Sequence, residues 1–186
     1  MVVVGLVSFL AGQQVGRNSV QGQGQAPDAA GPIAPFAGGG GNGPAPDISK
    51  MTPEERATRL FDRVMRYGEE GKQDSARVFA PMAIQAYEMI GALNAHHRYD
   101  MGLIGIVSGD AGIAQAQADT ILSANKSHLL GLVLAMKAAG LRQDLKGRDA
   151  FKQRLLAARA SEEAKQLPEY QAHKPDIDAA TQSVKP

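Results

Sequence analysis

Few residues in this chain have the types and spacing that chemistry requires. His96 and Asp100 lie one helical turn apart, and two such groups make half of a metal site. His97 is adjacent to His96, so on a helix its side chain diverges by about 100° and does not chelate the same ion. His128 and His173 stand alone in the sequence. There is no cysteine, which excludes disulfides, thiolate catalysis and thiolate-bound metal. HExxH, GxSxG and a Ser–His–acid spacing are all missing. The four glycines at 38–41 lack the following Lys-Ser/Thr of a phosphate loop. Glu54/Glu55, Glu69/Glu70 and Glu162/Glu163 read as helix-end or solvated charges. The expectation is a chain without catalytic residues, cofactor or metal. A metal-dependent enzyme built on His96 and Asp100 is the distant alternative.

Two basic runs remain. Arg56, Arg59, Arg63 and Arg66 recur at helical spacing and share a face. They read as a solvated face balanced by Glu55, Asp62 and Glu69, or as a contact for an acidic partner or lipid phosphates. Arg142, Lys146, Arg148, Lys152, Arg154 and Arg159 form a second cluster, with Arg148 and Lys152 at its centre. It reads either as the polar outer face of a terminal helix or as a docking surface. The net charge is +1, so bulk electrostatics do not point to nucleic acid.

Composition divides the 186 residues into four stretches. Residues 1–17, MVVVGLVSFLAGQQVGR, are apolar. Residues 18–51 are rich in Gly, Pro, Gln and Ala and have no periodicity, which predicts an extended strap of up to ~90 Å. Residues 52–167 carry helical periodicity. Residues 168–186 form a tail with prolines and weak periodicity, predicted to add a helical turn or to lie across the domain.

Within 52–167 the helix signals are local. Thr52-Pro53-Glu54-Glu55 is a capping box with Pro at the first helical position, followed by Ala57, Leu60, Phe61, Val64 and Met65 on one face. Pro81 is expected to open a second helix to about Gly91, with Ala83, Ala86, Tyr87 and Ile90 inward. Further helices are expected from Asn94 to Val107 and from Asp110 to Leu122. Ser127 is the expected cap of the apolar run HLLGLVLAMKAAG, a buried central helix too short to span a bilayer. A long helix from Leu145 to Gln166 precedes Pro168.

The stretch YDMGLIGIVSGDAGIAQAQADTIL resembles a tetratricopeptide repeat. Met101-Gly102 stands where that family has a large residue followed by a small one, and Gly109-Asp110 at its interhelical turn. Ala114, Ala118 and Ile121 follow at its second-helix packing positions. Gln143-Asp144 comes 34 residues later, with Ala150 and Ala157 beyond it. Upstream, Ala83, Tyr87 and Ile90 match at an offset of about 31. The resemblance implies an all-α fold of stacked antiparallel helix hairpins, a degenerate tetratricopeptide-like array.

Placed on a helix, residues 1–17 align Gly5, Ser8, Gly12 and Gly16 along one side, a small-residue seam suited to close helix packing in lipid. The segment covers only ~24 Å, which suits partial insertion or a thin region. An uncleaved anchor is expected, with a signal-peptide core as the alternative. No Lys or Arg lies between Arg17 and Lys50, so the soluble domain is expected on the periplasmic side of a bacterial inner membrane. Anchor, strap and repeat region together resemble an extrinsic accessory subunit of a bacterial photosynthetic reaction-centre–light-harvesting complex. That resemblance implies a non-catalytic scaffold whose partners are other subunits of a membrane complex and, through residues 1–17, lipid. An anchored tetratricopeptide-like assembly factor of the cytochrome c maturation type is the alternative.

Overall fold

The computed structural model describes residues 50–182, so the predicted anchor with Gly5, Ser8, Gly12 and Gly16, and the strap through residue 49, lie outside the described residues. Eight helices fill the described part, with no strand among the described residues: α1 Pro53–Glu69, α2 Gln73–Glu88, α3 Ala95–Ser108, α4 Ala111–Ala124, α5 Leu129–Leu141, α6 Leu145–Glu163, α7 Pro168–Ala172 and α8 Lys174–Thr181. No helix of the described residues is long and apolar enough to cross a membrane.

Four of the eight helix starts follow from side-chain caps. Thr52 Oγ1 accepts from the Glu55 amide at 3.2 Å, and Glu55 returns a bond to the Thr52 amide at 2.8 Å. Asn94 caps α3 through the His97 amide, and Asp144 caps α6 through the Gly147 amide. Asp110 Oδ1 accepts from both Gly112 and Ile113, holding the first turn of α4. The cap expected at Ser127 is not formed. His128 occupies the N-cap of α5 without a side-chain bond, and the Leu129 amide donates instead to the Tyr170 hydroxyl at 3.3 Å. A tertiary partner thus replaces the local one.

Three hairpins, α1/α2, α3/α4 and α5/α6, share one turn. In each, a residue with positive φ precedes the N-cap of the second helix: Gly71 (69°), Gly109 (83°) and Gln143 (61°). In each, the N-cap amide then reaches a carbonyl five residues back: Lys72 to Tyr67, Asp110 to Gly105 and Asp144 to Ala139, at 2.8–2.9 Å. Every helix from α1 to α6 packs on the next, and α1 also touches α3 while α3 touches α5. The first helices of the hairpins therefore stack as a row, as in a helical-repeat array.

The shared turn corrects the expected register. α2 begins at Gln73, eight residues before Pro81, which lies inside the helix on its exposed side. There it removes one backbone bond without ending the helix. Counted from the turn, the matches to Ala114, Ala118 and Ile121 are Ala76, Ala80 and Ala83, all buried. Ile90 falls beyond the helix and is half-buried. In α6 the expected inward pair Ala150 and Ala157 is exposed. Leu155 is fully buried instead, and Phe151 and Ala158 pack against the core. One residue of error in turn length swings a helix face by about 100°.

The core centres on α5, where Leu129, Leu130, Leu132, Val133, Leu134, Ala135 and Ala138 are all fully buried. Its all-round apolar sequence is what a helix enclosed by neighbours requires. Small residues let those neighbours approach. A Cβ on Gly102 would run into Leu134 of α5, and one on Gly105 would meet Asp110 O at 2.9 Å and Ala114 N at 3.0 Å. The tail does not stop at Pro168: α8 packs on α5 and α6, and Tyr170, Ile177 and Ala180 join the core.

Candidate functional site

The residues with chemical potential converge where the C-terminal segment meets α3. The α7–α8 junction places His173 beside the first turns of α3, although 77 residues separate it from His96. His173 Nε2 lies 2.9 Å from His96 Nδ1 and 3.5 Å from Asp100 Oδ1. His96 Nε2 stands 3.5 Å from Asp100 Oδ2. Tyr87, from α2, donates its hydroxyl to Asp100 Oδ2 at 2.9 Å. Tyr99 meets His173 edge to face at 4.6 Å between ring centres. Behind His173, Asp176 Oδ2 lies 4.0 Å from Nδ1, and its other oxygen accepts from Lys137 at 3.1 Å.

Burial dominates the electrostatics. Asp100 is 5% exposed, and its Oδ1 has no hydrogen-bond partner. Burial raises its pKa to about 6, against the opposing pull of His96 and the Tyr87 bond. Burial and the neighbouring His96 lower His173 to about 4. Burial, with the charge of Asp100, raises the Tyr87 hydroxyl well above its ordinary value. His97 is lowered by burial and by His96, and it takes no part in the cluster. The sequence reading of His96 and Asp100 as neighbours holds, but His173 is not isolated. Its spacing carries no signal, because a fold-back across two short helices delivers it.

A second polar constellation ties α7 to α5 and α6. Glu162 is 3% exposed, yet it accepts from Tyr170 Oη at 2.8 Å, Asn125 Nδ2 at 3.1 Å and Lys165 Nζ at 2.7 Å. Burial alone would raise its carboxyl, but these bonds hold it below the usual value. His128 sits beside it with Nε2 3.4 Å from Glu169 Oε1.

An open groove of about 790 Å³ lies between α2 and the α3–α4 turn. Ala80, Pro81 and Ile84 line one side and Ala111 and Ile113 the other. The basic residues expected to act together are placed differently. Arg63 is buried, with its guanidinium 4.9 Å from the centre of the Phe79 ring, so it leaves the solvated stripe. Arg56 is half-buried, and only Arg59 and Arg66 are exposed. Arg148 pairs with Asp149 at 3.0 Å, and Lys152 donates to the Gln182 carbonyl. Arg159 binds Glu163, Asp178 and Thr181 and so fastens α8 to α6.

Fold and site together define, over the described residues, an all-helical domain of stacked hairpins against which two short C-terminal helices pack. Compared with known proteins, the chain matches no family model, no curated relative and no solved structure.

Proposed function

We propose that this chain is a non-catalytic, membrane-anchored scaffold subunit that holds together components of a large bacterial membrane complex. The observation that carries the reading is the stack of three hairpins with an open groove beside α2. Stacked hairpins present extended surfaces to other proteins, and this groove pairs apolar walls with Arg77, Glu88 and Asp110 at its rim. Residues 1–17 supply the other attachment, to lipid or to a neighbouring helix through Gly5, Ser8, Gly12 and Gly16. The Gly/Pro-rich strap joins the two, and linked attachments retain a subunit better than either does alone. The domain faces the periplasm, and the complex is a photosynthetic reaction-centre–antenna particle of the kind this layout resembles.

The test is retention in gently solubilised membranes of the producing bacterium. Deleting residues 1–17, or placing a charge in the groove with Ile84→Glu, should each release the subunit at least about tenfold more readily, because each removes one of two linked attachments. Glu88→Lys, at the exposed rim, serves as a second groove variant. Retention unchanged in all three overturns the scaffold reading. Trace, substoichiometric association would replace it with an anchored assembly factor that presents client proteins.

A further inference from the structure

We propose that His96, Asp100 and His173 bind one divalent transition-metal ion, with Zn²⁺ the leading ion, which clasps the C-terminal helices to α3. One donor atom from each residue lies within 4.8 Å of the other two. The imidazole–carboxylate separations are 3.5 Å to two different oxygens, His173 Nε2 to Asp100 Oδ1 and His96 Nε2 to Asp100 Oδ2. A tetrahedral ion with bonds of about 2.0–2.1 Å spaces its ligand atoms by about 3.4 Å, so the edge from His173 Nε2 to Asp100 Oδ1 already has the required length. The two edges to His96 close when its ring turns Nε2 toward an ion on Asp100 Oδ1, which replaces the 2.9 Å contact between the two imidazoles. Two imidazoles and one carboxylate suit Zn²⁺, Co²⁺ or Fe²⁺, and not the all-oxygen preference of Ca²⁺ or Mg²⁺.

An independent observation points the same way. Asp100 is almost wholly buried, and one of its oxygens lacks any hydrogen-bond partner while facing His173. A buried carboxylate left half-satisfied is costly, and a cation at this point would satisfy it. The surroundings resemble an outer shell around a metal. The Tyr87 hydroxyl fixes the other Asp100 oxygen, and Asp176 stands behind the far nitrogen of His173. The charge of Lys137 is engaged by Asp176. His96, 39% exposed at its side chain, gives the ion a path in from solvent, and water completes its coordination. The ligands come from α3 and from the α7–α8 junction, so the ion would join elements distant in sequence.

The full-length protein, stripped with chelator and dialysed, is titrated with ZnCl₂ in a calorimeter. One equivalent should bind with a dissociation constant of about a micromolar or tighter. Co²⁺ should give the visible absorption of a low-coordinate site. Asp100→Asn, His173→Ala and the milder His173→Gln should each weaken binding about 100-fold. His128→Gln should leave it unchanged. Circular dichroism establishes that each variant is folded. Hydrogen exchange within 170–181 should slow about tenfold when Zn²⁺ binds. No binding by the folded wild type overturns the proposal, as does binding undiminished in both His173 variants. Binding without added protection of 170–181 overturns the clasp.

Discussion

The α3/α4 hairpin and the α7–α8 segment are both well-packed helix pairs, but they are built in opposite ways. In the hairpin each step has a local cause. Asn94 caps α3, Gly109 turns with φ of 83°, Asp110 caps α4, and Ala114, Ala118 and Ile121 face inward at helical spacing. The α7–α8 pair has helices of 5 and 8 residues, and neither has a side-chain cap. Isolated helices of that length are unstable in water. They are held by what they touch: Tyr170 on Glu162 and the Leu129 amide, Arg159 on Asp178, and Ile177 in the core. The difference teaches that a buried polar anchor can do for a short helix what capping and periodicity do for a long one.

The hairpin should break most severely at its tightest approach. In Gly105→Leu the new side chain meets the backbone of Asp110 and Ala114, which cannot rotate away, and overpacking of this kind costs about 3 kcal/mol. Chemical denaturation should show that loss with the denaturant slope preserved. The C-terminal segment should break next, at Tyr170→Phe. That change keeps the ring and removes one hydroxyl, leaving the Leu129 amide without its partner and Glu162 with one bond fewer, a cost of about 1–2 kcal/mol. Hydrogen exchange should localise the loosening to α7 and α8. A loss spread evenly over all helices would mean that the segment is no separate unit.

The caps give a smaller effect. Asp110→Ala should cost about 1 kcal/mol, because the Gly112 and Ile113 amides lose their acceptor. The smallest effect is one of pH. Burial lowers the pKa of His128 from its ordinary 6.5, and this outweighs Glu169 of α7 and Glu162 of α6, with Lys165 acting in the same direction as burial, while the ring of Tyr170 packs edge-on against the imidazole. Below about pH 6.5 the unfolded chain therefore takes up a proton that the folded chain refuses, so stability falls with falling pH. Above that pH both states are neutral there and the contribution is flat. Thermal melts of the wild type should decline more steeply between pH 6.5 and 5 than those of His128→Gln. Parallel declines would remove His128 from the account.

What was legible in the sequence follows this division. The capping box at Thr52, the helix start at Asn94, the cap at Asp110 and the buried run of α5 are written in neighbouring residues. Pro81 misled, since the ordinary association of proline with a helix start is only a tendency, and here α2 tolerates it on an exposed face. The inward face of α6 was misplaced because the turn at Gln143 sets its phase, and Gln gives no warning of a positive φ. In the site, the pairing of His96 with Asp100 was readable from a four-residue spacing. The arrival of His173 was not.

From the residues alone came the all-helical class, the hairpin at Gly109-Asp110 and the identity of the core helix, because capping, turn formation and 3.6-residue periodicity act over short stretches of chain. Tertiary structure alone decided that α7 and α8 close the domain, that Arg63 turns inward onto Phe79, and that two histidines and a buried aspartate meet. Those contacts depend on the summed geometry of several turns and packed faces, and no local spacing encodes such a sum.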